Sequence, residues 1–106
     1  MIKIPPIGYE EQIVVKHIVF FKLKDKSFSK EVQEKLLSLK ENVKVVKSLE
    51  VGENFADSPR AYDISLTVEL ESKDDLKTYA VDPYHEEIKK YLKTTTIDSK
   101  VVDYIN

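Results

Sequence analysis

One segment, residues 13–23, constrains this chain most, because it is apolar on both sides if it forms a β-strand. It is rich in β-branched and aromatic residues, which favour strands. Successive side chains of a strand point to opposite faces. One face then carries Val15, His17, Val19, Phe21 and Leu23, and the other carries Val14, Ile18 and Phe20. Both faces need cover, so we expect helices on one side and a second layer or a second subunit on the other.

The remaining segments predict a βαββαβ order. Residues rich in apolar side chains predict three more strands: residues 45–53, 62–70 and 101–105. Apolar residues at helical spacing predict three helices: residues 30–42, 73–81 and 83–93. Ser29 is the expected N-cap of the first helix, and Gly52 indicates a bulge or turn. This order is typical of the ferredoxin-like α+β fold, whose antiparallel sheet has helices on one face.

The last two helices are predicted to break at Asp82 and Pro83. Proline cannot continue a helix without losing a hydrogen bond, but it suits the first position of a new one. Asp82 can cap that new helix by accepting from free backbone N–H groups. Tyr79, at the end of one helix, can then approach His85, at the start of the next. In this candidate catalytic pair, His85 acts as general acid or base and Tyr79 donates to a carbonyl oxygen.

Composition and charge limit the partners and the chemistry. The chain has 17 basic and 19 acidic residues, a net charge of −2, which argues against nucleic-acid binding and against a polybasic membrane patch. It has no cysteine, which excludes thiolate catalysis and disulfides. No apolar run approaches the roughly 20 residues that cross a bilayer, so we expect a cytoplasmic protein. His85, Asp82 and Glu86 match no strong zinc motif, and we expect no metal and no cofactor.

Residues 1–12 are predicted to be an N-terminal extension, and residues 13–106 one domain. Pro5, Pro6 and Gly8 prevent regular structure in the extension. Its isoleucines would allow it to fold over its own domain or over a neighbour, and it is equally compatible with a loose arm.

Several segments, in order, resemble the stress-responsive dimeric α/β-barrel (A/B barrel) family. Its strands are similar to four segments of this chain: residues 15–23, 52–54, 62–70 and 101–104. Residues 76–85 resemble the segment that in this family often reads Tyr, then a His-Pro pair, then His. The resemblance covers nearly everything except the N-terminal extension.

The resemblance implies a ferredoxin-like monomer and a homodimer with a barrel between its sheets, but no single function. Many members have no known activity. One member, olivetolic acid cyclase, closes a polyketide chain by an aldol-type condensation with a tyrosine and a histidine. The matching positions here are Tyr79 and His85, with His17 as a further pocket histidine. Asp82 stands where many relatives have the histidine before proline, which changes the charge at the helix break.

Three functions are therefore open, and whether the protein is an enzyme is open with them. The first is a barrel-domain protein that binds a small apolar or aromatic molecule between sheet and helices, in contact with His17, Phe21 and Tyr84. The second is a polyketide cyclase-like enzyme, in which His85 removes a proton next to a carbonyl and Tyr79 stabilises the oxyanion. The third is a structural dimer without a ligand, whose histidines and tyrosines are satisfied core residues.

Overall fold

The strand that is apolar on both faces lies inside the sheet, hydrogen-bonded on both edges. The computed structural model describes residues 14–106. Its strands are β1 (Val15–Leu23), β2 (Ser48–Glu53), β3 (Ile64–Leu70) and β4 (Thr96–Ile105). They form one antiparallel sheet in the order β2-β3-β1-β4. This confirms the predicted ferredoxin-like α+β fold, while the predicted extension, residues 1–12, lies outside the described residues.

The helices pack on one face of this sheet and enclose the core with it. They are α1 (Ser29–Leu37), α2 (Leu39–Asn42), α3 (Lys73–Val81) and α4 (Pro83–Thr95). The core joins helix residues such as Leu36 and Ile88 to strand residues such as Leu66 and Val68, all of them buried. Among residues 14–106, no helix is long and apolar enough to cross a membrane.

The first helical region begins differently from the prediction. Ser29 is not the N-cap, because a 3-10 turn over Lys26–Phe28, capped by Asp25, leads directly into α1. The Ser29 hydroxyl instead donates to the Glu53 carboxylate of β2. The single predicted helix is also split at Ser38, whose hydroxyl donates to the Lys35 carbonyl at 2.5 Å. A serine hydroxyl that bonds the preceding turn competes with helical hydrogen bonding, in keeping with the split.

The strand predictions need two corrections. Gly52 makes neither a bulge nor a turn, because the register between β2 and β3 is continuous through it. A side chain there would meet the Ser65 hydroxyl, since a Cβ would lie 2.9 Å from that oxygen. The last strand begins at Thr96, five residues before the predicted start, because the chain leaves α4 directly into pairing with β1.

The helix break forms as predicted. Asp82 has an extended backbone (φ −59°, ψ 133°), and Pro83 is the first residue of α4. One carboxylate oxygen, Asp82 Oδ1, accepts from the N–H groups of Tyr84 at 2.8 Å and His85 at 3.3 Å. The cap therefore satisfies two of the free donors at the start of α4. It also sets the angle between α3, which carries Tyr79, and α4, which carries His85.

The face of the sheet opposite the helices keeps apolar side chains in contact with solvent. Register places Ile18 opposite Val102 and Lys16 opposite Tyr104 on this outer face. Phe20 is 46% exposed and Val102 61% exposed. The exposure agrees with the sequence-based expectation that this face needs a partner.

Candidate functional site

A cavity of about 340 Å³ lies between the inner face of the sheet and the helices. Its wall is largely apolar and includes Phe21, Leu66 and Leu92. Its polar groups include His17, Tyr79 and His85, three residues that the sequence singled out. A largely apolar wall with a few polar groups, at the lower end of the usual size range, is typical of a small-molecule site.

The three polar residues meet around the ring of Tyr79. His17 packs edge-on against it, with ring centroids 5.5 Å apart. The centroid of the His85 ring lies 4.2 Å from that of Tyr79, with the ring planes 36° apart. His17 faces the helices because it alternates with Lys16 and Ile18 along β1. The helix break supplies the other two side chains, so one strand face and one helix junction build the site.

Tyr79 is the most unusual residue of the site, because its side chain is buried and its hydroxyl has no partner in the described part of the chain. The residue is 1% exposed, and its hydroxyl makes no hydrogen bond within the described part of the chain. Burial raises the pKa of this phenol well above its ordinary value of 10.0, so the hydroxyl stays protonated. A buried donor without an acceptor is costly and rare in folded proteins. The Tyr79 hydroxyl is therefore free to donate to an oxygen that residues 14–106 do not supply.

His17 forms a pair with Asp103, which the sequence analysis did not single out. The two residues are direct neighbours across β1 and β4, and His17 Nδ1 lies 2.5 Å from Asp103 Oδ1. When Nδ1–H donates to the carboxylate, Nε2 is left as the free nitrogen of the ring. Asp103 was missed because its role depends on the register between β1 and β4. Only the ferredoxin-like pairing of first and last strands could have drawn attention to it.

His85 is half-buried and favours its neutral form. Burial is the main cause that lowers its pKa below the ordinary 6.5, and electrostatic repulsion from the Lys89 ammonium acts in the same direction. The Ala80 carbonyl, 3.3 Å from His85 Nδ1, and the Glu86 carboxylate oppose this shift. A neutral imidazole near pH 7 is able to accept a proton.

The structure brings Phe21 to the cavity but not Tyr84. Tyr84 is absent from the cavity wall, and its hydroxyl donates to Ser38 Oγ at 2.6 Å. This bond ties α4 to the junction of α1 and α2, so Tyr84 has a structural contact in place of the predicted ligand contact. The wall also contains Lys89 and Lys93, which were not among the candidate residues predicted from the sequence.

No group of three or more histidine, aspartate or glutamate side chains within residues 14–106 is placed to hold a metal ion. Glu86, part of the weak cluster near His85, forms an ion pair with Lys89 at 2.6 Å. Asp82 is engaged in the helix cap.

A second depression, of about 390 Å³, lies at one end of the outer face. It is bordered by Phe20, Arg60 and the fully exposed Phe55. It contains none of the three converging residues. Although it is the larger of the two, its chemistry gives no reason to prefer it as the functional site.

The sequence of residues 15–106 matches the model of the stress-responsive A/B barrel domain (Dabb) family. The chain belongs to this family. A dimeric protein of unknown function with a ferredoxin-like fold, from Bacteroides fragilis, is 33% identical over 86% of this chain and 94% of its own, with a TM-score of 0.71. None of the curated proteins matches the chain.

More distant solved structures share the fold of this family member. A dimeric ferredoxin-like protein of unknown function from Thermobifida fusca has a TM-score of 0.78 at 19% identity, covering 92% of this chain and 95% of its own. Hydroxynitrile lyase from Passiflora edulis has a TM-score of 0.77 at 18% identity, covering 88% and 93%. The family therefore establishes the fold and leaves the role of this domain unassigned.

We expect Tyr79→Phe to leave the free energy of unfolding unchanged or to raise it by about 1 kcal/mol, because it removes a buried hydroxyl without a partner. Tyr84→Phe is the matched control. It breaks the bond to Ser38 and should lower stability by about 1 kcal/mol. Urea unfolding of both variants measures the difference. An equal loss in both would show that the Tyr79 hydroxyl is hydrogen-bonded after all.

Proposed function

We propose that this stress-responsive A/B barrel domain binds a small apolar or aromatic molecule that carries a carbonyl or hydroxyl oxygen. The main supporting observation is the buried hydroxyl of Tyr79, a residue of the cavity wall, which has no acceptor among residues 14–106. An oxygen of the ligand would satisfy this donor, and the apolar wall would hold the rest of the molecule. His17 and His85 both contact the Tyr79 ring and would help to orient the ligand.

A matched pair of aromatic probes tests this proposal. Acetophenone should bind more tightly than ethylbenzene, which has a similar shape but no carbonyl. One hydrogen bond contributes about 1 kcal/mol, so we expect roughly a fivefold difference in Kd. Binding is measured by NMR titration, with shifts expected at the ring signals of His17 and His85. Tyr79→Phe should abolish the preference, and Tyr84→Phe should retain it.

Two results would contradict the proposal. Equal affinity for acetophenone and ethylbenzene would show that the Tyr79 hydroxyl does not bind the ligand oxygen. The absence of shifts at both histidine rings, at probe concentrations up to the solubility limit, would favour a structural dimer without a ligand.

A second candidate function is acid–base catalysis on a carbonyl compound. The specific support is that His85, whose pKa is lowered, and His17, which pairs with Asp103, both contact the ring of the protonated Tyr79. In this hypothesis His85 removes a proton next to the carbonyl, Tyr79 donates to the developing oxyanion, and His17 orients the substrate. The Passiflora edulis hydroxynitrile lyase has the same fold, which supports only that this fold accommodates an enzyme.

Deuterium exchange at the benzylic carbon of phenylacetone in D2O tests proton removal without knowledge of the natural substrate. We expect the protein to accelerate exchange over buffer, and Tyr79→Phe and His85→Ala to lose about 100-fold while still binding the probe. Since only neutral His85 accepts a proton, the rate should fall as pH drops through its lowered pKa, below the ordinary 6.5. Exchange no faster than in buffer, or unchanged in both variants, would reject catalysis on such carbonyl compounds and leave the binding proposal intact.

We also propose that two copies of the chain pair through the outer face of the sheet. Exposed apolar side chains on that face, including Phe20 and Val102, support this, and the Bacteroides fragilis and Thermobifida fusca proteins are dimeric. Val102→Glu should dissociate the dimer by placing charge in its interface. Val81→Glu is the control, because Val81 is 73% exposed at the end of α3. Sedimentation equilibrium measures the oligomeric state of each variant, and a monomeric wild-type protein would contradict the proposal.

We further propose that the protein is cytoplasmic and that its domain begins at Ile13, after an N-terminal extension. The location is supported by the lack of cysteine, and the boundary by the family match from residue 15 onward. Cell fractionation tests the location, and a chain that starts at Ile13 tests the boundary by its stability in urea.

A further inference from the structure

Among residues 14–106, the charged side chains that line the cavity have one sign. Two lysines, Lys89 and Lys93, line it, and none of the wall residues in this part of the chain is acidic. Residues four apart lie on the same side of a helix, about 6 Å apart along its axis. The spacing therefore places His85, Lys89 and Lys93 in one row along α4. The row begins at His85, beside Tyr79, and ends at Lys93 in the last turn of α4.

The two lysines differ in their contacts. The Lys89 ammonium forms an ion pair with Glu86 at 2.6 Å and lies 3.4 Å from the Ala80 carbonyl. Lys93 has no hydrogen bond or ion pair with any residue between 14 and 106. Its side chain lines the cavity while the residue as a whole is exposed. Lys93 is thus a cation that no carboxylate of the described residues neutralises, and it lies where the cavity meets solvent.

We infer that the ligand of this cleft is a small apolar carboxylic acid, whose carboxylate is bound by Lys93. A separate carbonyl or hydroxyl oxygen of the same molecule accepts from the Tyr79 hydroxyl. This inference rests on the proposed binding function and names its ligand class. The Lys93 ammonium and the Tyr79 hydroxyl favour different groups of the ligand. An ammonium in contact with water favours a charged group, whereas the buried neutral Tyr79 hydroxyl favours a carbonyl or hydroxyl oxygen. The apolar wall between them matches a ring or a short hydrocarbon chain.

Lys93 has a structural role as well, because it lies in the last turn of α4. A positive charge there interacts favourably with the helix dipole. This role concerns stability and would not distinguish an anionic ligand from a neutral one of the same shape. A comparison of charged and neutral probes therefore separates the two roles.

The test uses 4-acetylbenzoate and 4-acetylbenzamide, which share a ring and a ketone and differ in charge. Isothermal titration calorimetry of the full chain at low salt should show about fivefold tighter binding of the benzoate, a difference that shrinks as salt screens it. Lys93→Gln should remove this preference, and Lys93→Arg should retain it. Lys90→Gln is the matched control, because Lys90 is on the same helix, 72% exposed, and absent from the cavity wall.

Each outcome bears on a different claim. Tighter binding of the benzoate that is lost only in Lys93→Gln supports the inference. Equal binding of the two probes to the wild type, or a preference that Lys93→Gln retains, overturns it while the proposed binding function stands. Binding of neither probe overturns both. Thermal melts of the three lysine variants confirm that any change in preference occurs in folded protein.

Discussion

The hydrogen bonding of β1 on both of its edges is the constraint on which the rest of this structure depends. β1 pairs with β3 and β4 along nearly its whole length, so its two faces are set by alternation. The inner face contributes core residues such as Val15 and, in the same row, His17. The outer face contributes Phe20 to a surface that stays exposed. One strand thus anchors the core, supplies the site with a histidine and leaves an apolar face for a partner.

The helix break at Asp82 and Pro83 turns that scaffold into a site. A continuous helix would hold Tyr79 and His85 on different turns, nearly two turns apart. The cap formed by Asp82 starts α4 in a new direction and brings the two rings to within 4.2 Å. Asp82 stands where the family resemblance places a histidine, and here its carboxylate is engaged by backbone N–H groups. Its charge therefore stabilises the start of α4, where the helix dipole is positive.

The energetics of the site point away from a role in stability alone. Folding buries the Tyr79 hydroxyl without an acceptor from residues 14–106, and it places His85 where its charged form is disfavoured. Tyr84, five residues after Tyr79, shows the ordinary solution, because its hydroxyl bonds to Ser38. This contrast between two tyrosines at one helix break is the main support for the proposal that the Tyr79 hydroxyl donates to an oxygen of a ligand.

The sequence by itself determined the order of the helices and strands, the apolar character of both faces of β1, and the helix break. It also determined that Tyr79 and His85 meet beside that break. These follow from local properties: strand alternation, helical spacing and the missing N–H of Pro83. Tertiary structure alone decided that Asp103 pairs with His17, that Tyr84 turns to Ser38 and that Lys93 reaches the cavity. Those contacts depend on strand register and on how α4 packs over the sheet. Both are set by pairing between distant segments, which local sequence patterns do not encode.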